Sequence, residues 1–299
     1  MNEQRIYPLV DVSREQIAKL AGGPVRRIER IDGGLTNTMH KVERHDGKSF
    51  AVKHYAAGID AFGAELATLT LLHGTLPVPD VIHADEKERV IVYRWIDGIT
   101  LHDLRKTGSH TGFGSLADPL GRLLAWLART DATEAFELTH ILERAYRQLT
   151  GGRARDRLGP TIADALRKGL EVAEPTLGFG TVCLAHGDLS ARNVIVERAA
   201  TDRWRISGVI DWETTSTGSP LVDIGSLFRH ADEFDPAWCE AFATGYREAD
   251  GILPDDWLIS ARLLDATLII DMLDEPREIP GVFAENRKVL ARLAAELAR

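Results

Sequence analysis

His186-Gly187-Asp188-Leu189-Ser190-Ala191-Arg192-Asn193 is the stretch on which the reading of this chain turns. It follows a short apolar run ending at Ala185 and opens into another, Val194-Ile195-Val196. Asp211 stands eighteen residues after Asn193, at the end of the apolar pair Val209-Ile210. Taken singly, a His-Gly-Asp sequence is a common turn and an aspartate after a strand is a common cap. Taken together, the three polar residues suit phosphoryl transfer. An attacking hydroxyl needs a carboxylate that orients it and accepts its proton, and Asp188 fits that task. A nucleoside triphosphate needs magnesium, which prefers hard oxygen ligands, and Asn193 and Asp211 offer an amide oxygen and a carboxylate. One loop can hold both the base and a metal ligand.

Working outward, residues 25–31, 39–44 and 49–55 read as strands, separated by Asp32-Gly33-Gly34 and His45-Asp46-Gly47 turns. A short helix over 12–21 precedes them. A helix over 61–73, with Leu66, Leu69, Leu71 and Leu72 at helical spacing, follows, and then come strands over 81–84 and 90–95. Beyond Asp97-Gly98 the pattern changes. Amphipathic helices are predicted over 116–130, 139–149 and 162–173, short strands over 181–185, 193–197 and 204–210, and helices again over 220–228, 238–248, 257–272 and 283–298. A strand-rich first third and a helix-rich remainder predict an α+β chain of two lobes, residues 1–95 and 96–299.

The 299 residues carry 36 Lys and Arg against 45 Asp and Glu, a formal net charge of −9, and no long basic run, which argues against a nucleic-acid binder. Cys183 and Cys239 make no disulfide framework and read as reduced thiols of a cytoplasmic protein. The N-terminus lacks the basic and apolar regions of a signal peptide, and no apolar run has a membrane-spanning length, so no membrane partner is expected.

The loop at 186–193, followed by Ile210-Asp211-Trp212-Glu213, resembles the aminoglycoside phosphotransferase and choline kinase family. The resemblance covers about 27–228 and, more loosely, the C-terminal helices. It implies the bilobal fold of protein kinases, with a strand-rich N-terminal nucleotide-binding lobe and a helical C-terminal catalytic and acceptor-binding lobe. It also implies Asp188 as the catalytic base, Asn193 and Asp211 as Mg2+ ligands, and ATP or GTP as phosphoryl donor. Lys53, in the strand sequence Ala51-Val52-Lys53, would reach the α- and β-phosphates, with Glu65 as its ion-pair partner. Gly34, Thr36 and Asn37 correspond to the family's loop above the phosphates. Tyr93, Arg94 and Ile96 fall in the segment that meets the purine, where a bulky Tyr93 points toward GTP and the Arg departs from a commonly acidic position. His186 and Asp223 correspond to the residues that brace the catalytic loop.

The acceptor is less clearly specified. Glu213, Asp265, Asp271, Asp274 and Glu275 are candidates for holding a cationic small molecule, and Trp212 and Trp257 for stacking on a sugar, although each also reads as an ordinary solvated or core residue. The expected function is transfer of a γ-phosphate to a hydroxyl of a small molecule, foremost an antibiotic such as an aminoglycoside. The alternatives are a metabolic kinase of an amino alcohol, homoserine or sugar, and a nucleotide-binding scaffold without turnover. A protein kinase is disfavoured because Asp-Phe-Gly and Ala-Pro-Glu are absent and only twelve residues separate Asp211 from Asp223. The oligomeric state is not legible.

Overall fold

A computed structural model describes residues 7–31, 36–56, 60–108, 110–131, 136–180, 182–200, 203–230 and 234–298. In chain order the elements are α1 (Arg14–Leu20), β1 (Val25–Ile31), β2 (Thr38–Arg44), β3 (Ser49–His54), α2 (Ala61–Leu72), β4 (Val81–Asp85), β5 (Val90–Arg94), β6 (Ile99–Thr100), α3 (Leu101–Lys106), α4 (His110–Gly114), α5 (Ala117–Leu127), α6 (Leu138–Gly151), α7 (Arg153–Leu158) and α8 (Pro160–Leu177). They continue with β7 (Cys183–Ala185), β8 (Val194–Arg198), β9 (Trp204–Val209), a 3-10 turn (Trp212–Thr214), β10 (Ser216–Gly218), α9 (Leu221–Leu227), α10 (Pro236–Glu248), α11 (Trp257–Asp274) and α12 (Pro280–Leu297).

The chain divides into two compact units, Met1–Thr107 with Arg192–Thr215, and Gly108–Ala191 with Ser216–Arg299. This division differs from the expected cut after residue 95. The two-residue β6 has no sheet of its own and pairs with β8, which pairs with β9, while Val209 donates to the carbonyl of Pro77. Backbone pairing therefore returns the β8–β9 hairpin and the turn bearing Asp211 to the first unit.

In the first unit an antiparallel sheet runs in the order β1-β2-β3-β5-β4. Side chains alternate across a strand, so each strand here serves two faces. Phe50, Val52, Val90 and Val92 pack with Ile17, Ala21, Val25 and Val42, and each buried Val, Ile or Phe side chain contributes roughly 1.5–3 kcal/mol by leaving water. The alternate positions, Ala51 and Lys53 on β3 and Ile91 and Tyr93 on β5, are cross-strand partners on the opposite face. Helix α1 starts at a reciprocal cap between Ser13 and Gln16.

His40 on β2 and His54 on β3 meet edge to face with ring centroids 6.4 Å apart, and the Nδ1 of each is buried without a hydrogen-bond partner. Burial and the neighbouring His40 lower the His54 imidazole from 6.5 to about 4. Burial and Arg30 lower His40 as well. Below 6.5 the unfolded chain then binds more protons than the folded one, so stability rises with pH through this range. Stability is expected to be fully present above about pH 6.5 and to fall as pH drops toward 4, and His54→Phe is expected to flatten that slope in urea melts between pH 4 and 7. An unchanged slope would contradict the assignment.

The second unit is helical. α5 and α10 approach so closely that a Cβ on Gly121 would stand 2.1 Å from the Phe242 carbonyl oxygen, and one on Gly245 2.3 Å from that of Asp118. Only glycine fits at such a crossing. Phe113, Phe228, Phe234, Trp238, Phe242 and Trp257 form a connected aromatic core. Trp257 therefore lies in that core, and Trp212 is fully buried in the first unit, where its indole N–H donates to the Val209 carbonyl. Trp212 is therefore not placed to stack on a sugar. Cys183 is buried and Cys239 half-buried, both as free thiols. Among the described residues no helix is long and apolar enough to cross a membrane.

Candidate functional site

Lys53 is the centre of the first constellation. Its side chain is 2% exposed, and its Nζ lies 2.6 Å from Glu65 Oε2, Asp211 Oδ1 and Glu213 Oε2. Three elements supply these groups. β3 turns Lys53 to the face opposite the apolar core. α2 places Glu65 on its buried stripe with Ala61, Phe62, Thr68, Leu69 and Leu72. The chain after β9 turns through Asp211 in the left-handed region (φ 69°), a conformation an aspartate tolerates better than most residues, and continues into the Trp212–Thr214 turn. Tyr55 OH donates to the same Glu65 Oε2 at 2.6 Å. The other oxygen, Glu65 Oε1, is buried with no hydrogen-bond partner.

A lysine with this burial would ordinarily lose its proton. Burial does oppose its charge, but Asp211 and Glu65 outweigh burial and hold the ammonium well above an ordinary lysine. Burial pushes the Glu213 carboxyl up to about 7, against Lys53, and Asp211 adds to the rise. Carboxylate oxygens of Glu65, Asp211 and Glu213 lie within 4.8 Å of one another. Three carboxylates against one ammonium leave an excess of negative charge made of hard oxygen donors, which suits a divalent cation such as magnesium. Asn193 precedes β8, and its carbonyl accepts from the N–H of Ile210 at 2.9 Å, so the strand pairing sets it next to the residue before Asp211.

The second constellation surrounds Asp188. β7 pairs with β10, and the chain leaves β7 into His186 and leaves β10 into α9. That arrangement brings the buried Asp223 of α9 under the loop. Its carboxylate accepts from the His186 N–H at 2.8 Å and from the Gly187 N–H at 3.0 Å. Burial raises the Asp223 carboxyl, and His186 together with the two amides pulls against that rise. His186 is fully buried, and its Nδ1 accepts from the Asp188 N–H at 3.3 Å. Gly187 sits at φ 83°, which the tight turn requires. The Asp188 side chain is 46% exposed. Its Oδ1 lies 3.4 Å from both Ser226 Oγ and Arg229 Nη2.

The remaining sequence candidates fall in several places. Gly34 lies outside the described residues. Thr36 precedes β2. Asn37 is engaged within the protein: its amide nitrogen donates to Glu213 and its oxygen accepts from the Ala56 N–H at 3.0 Å. Tyr93 is buried, and burial followed by the Glu65 charge holds its phenol well above the usual value, which sets it beside the Lys53 constellation. The Arg94 N–H is committed to the Asp80 carbonyl at 2.9 Å, so a base there would have to be met by the Arg94 carbonyl or by Ile96. Ile96 packs against Gly208, where a Cβ would stand 2.5 Å from its Cδ1.

The acceptor candidates have different partners. Glu213 belongs to the Lys53 constellation. Asp265 is 2% exposed and receives the Arg229 fork at 2.9 and 2.8 Å. Asp271 accepts from Gln148 and lies 3.4 Å from Arg144 Nε. Asp274 accepts from the Ala154 N–H at the start of α7. The Glu275 carbonyl accepts from Arg157, and its carboxylate from the Arg277 N–H. Tyr55, Ser226 and Arg229 were not singled out from the sequence. Tyr55 carried a signal, two residues beyond Lys53 and so on the same side of the chain. Arg229 carried none, because its partner is 36 residues away.

Residues 27–258 match the sequence profile of the phosphotransferase enzyme family, APH. No curated protein is significantly similar in sequence. Among solved structures, the chain resembles the GDP complex of wild-type aminoglycoside 2'-phosphotransferase-IIIa (TM-score 0.73, 17% identity, 94% of this chain and 96% of that one). It also resembles a choline kinase from Streptococcus pneumoniae (TM-score 0.67, 17% identity, 95% and 97%) and a macrolide 2'-phosphotransferase from Brachybacterium faecium (TM-score 0.65, 20% identity, 93% and 96%). The fold is α+β and protein-kinase-like, as the sequence led us to expect, and with a profile match over well more than half of its length the chain belongs to the phosphotransferase enzyme family.

Proposed function

We propose that the protein transfers the γ-phosphoryl group of ATP or GTP to a hydroxyl of a small molecule in the cytoplasm. The observation that carries this reading is the buried Lys53, kept charged by Glu65 and Asp211, which is an arrangement for gripping phosphate oxygens. Asp188 orients the acceptor hydroxyl and takes its proton as the oxygen–phosphorus bond forms and the bond to the bridging oxygen of the nucleoside diphosphate breaks. Asn193 and Asp211 are the residues that would hold magnesium, which when bound supplies charge neutralisation of the phosphates. His186 and Asp223 fix the backbone that carries Asp188. Catalysis is then mainly positioning and preorganised charge.

For the acceptor, an antibiotic is the first reading. A metabolic amino alcohol, homoserine or sugar is the second, and a specific observation favours it. Asp265, Asp271 and Asp274 are each paired within the protein, which suits an acceptor less positively charged than an aminoglycoside. The test is magnesium-dependent release of ADP or GDP across aminoglycosides, macrolides, choline, homoserine and sugars. One acceptor class should raise release well above that with water alone. Tight nucleotide binding with no stimulation by any acceptor would point instead to a nucleotide-binding scaffold.

A further inference from the structure

Arg229 follows α9, and Asp265 lies near the middle of α11. The two helices meet at Gly225, where a Cβ would stand 2.1 Å from the Ala261 carbonyl oxygen and 2.9 Å from Asp265 Cβ. That approach lets the guanidinium grip Asp265 through two short bonds while its Nη2 also reaches Asp188 Oδ1 at 3.4 Å and Ser226 Oγ at 3.3 Å. We propose that Arg229, anchored by Asp265, is a positioning residue that sets the rotamer and proton affinity of Asp188. The role assigned to Asp188 rests on the phosphotransferase reading, while its coupling to Arg229 does not.

Asp188 is half exposed, and its Arg229 and Ser226 contacts restrict its rotamers. Both the Arg229 and Ser226 contacts fall on Oδ1. The charged groups around this carboxylate include His186 and Asp223 from the loop and α9, Arg229, and Asp265 from α11. Asp265 takes the stronger bonds of the guanidinium. Arg229 therefore orients Asp188 without forming the tight ion pair that would make it a poor base.

This arrangement predicts opposite effects on the two sides of the pair. Arg229→Gln removes a cation and should raise the titration midpoint of Asp188. Asp265→Asn frees Arg229 to pair with Asp188 and should lower it. The readout is the carboxyl 13C resonance of Asp188 in the nucleotide-free full chain, assigned by its loss in Asp188→Asn. Removing one member of a buried pair can unfold a chain, so Arg229→Gln/Asp265→Asn, which keeps shape and removes both charges, is the second variant. It should stay folded with a nucleotide KM within about twofold of native, while kcat falls on the order of 10²-fold through misplacement of the base. Arg229→Lys should recover only part of that loss, because it cannot fork. Shifts of the same sign in the two single variants, or a double variant with native kcat and a native Asp188 titration, would overturn the proposal. Opposite shifts in a protein without Asp188-dependent turnover would uphold the coupling and reject the phosphotransferase role of Asp188.

Discussion

Asp188→Asn is expected to lower kcat by roughly 10²–10⁴-fold, the usual contribution of a positioned general base. Nucleotide affinity should change little. The substitution keeps the side-chain volume, and the carboxylate is half exposed. The amide can still occupy the acceptor's position but cannot accept its proton. Rapid-mix measurement of nucleoside diphosphate formation, beside calorimetric titration of the nucleotide, separates the two effects. A native kcat in this variant would remove Asp188 from the chemistry, and a large loss of nucleotide affinity would move it to the donor site.

The second large effect is expected at Lys53, and it acts on stability as well as on binding. Lys53→Met leaves Glu65, which is fully buried, without its counter-ion, and brings Asp211 and Glu213 together with nothing between them. Breaking a buried pair from one side costs about 3–5 kcal/mol, because the remaining charge stays desolvated. At roughly 2–4 °C per kcal/mol for a chain approaching this size, Tm should fall by about 10 °C. Nucleotide binding should be lost with the phosphate-gripping cation. Lys53→Met/Glu65→Leu removes both charges and should regain most of the Tm while remaining unable to bind nucleotide. Scanning calorimetry and nucleotide titration on the same samples check both parts. A native Tm in Lys53→Met would mean that the ammonium is not the counter-ion of Glu65.

Much of the fold was legible because it is written in periodicity. The strand predicted over 25–31 coincides with β1, and the strands predicted over 39–44, 49–55, 81–84 and 90–95 differ from the observed ones by a residue at an end. The elements that escaped are short or held by distant partners. β10 is Ser-Thr-Gly, with no apolar pattern, and exists because β7 pairs with it. α3 and α7 have six residues each, too few to show a stripe. The split of the chain escaped for the same reason, since backbone pairing of β8 with β6 leaves no mark on composition.

The site divides along similar lines. Asp188, Asn193, Asp211 and Lys53 lie at strand ends or on strands whose apolar flanks give them away. Glu65 is the only acidic residue of α2, but a lone glutamate on a helix normally faces water. It lies inside because Lys53 faces it, which is a tertiary fact. The acceptor candidates acquire partners that the sequence does not display. Acidic residues near the last helices suggested a cation site, but folding commits Asp265 to Arg229 and Asp274 to the start of α7. A count of carboxylates in a sequence carries no record of the arginines and amides that will neutralise them.

In the proposed reaction a hydroxyl of a small molecule receives the γ-phosphoryl group with Asp188 as base. It is tested most directly by following that group from γ-labelled ATP and GTP, with magnesium and each member of the acceptor panel, in the native protein and in Asp188→Asn. Label is expected in an acceptor phosphate ester, formed one for one with the nucleoside diphosphate and nearly absent in the variant. Label appearing only as inorganic phosphate, at the same rate in both proteins, would contradict it.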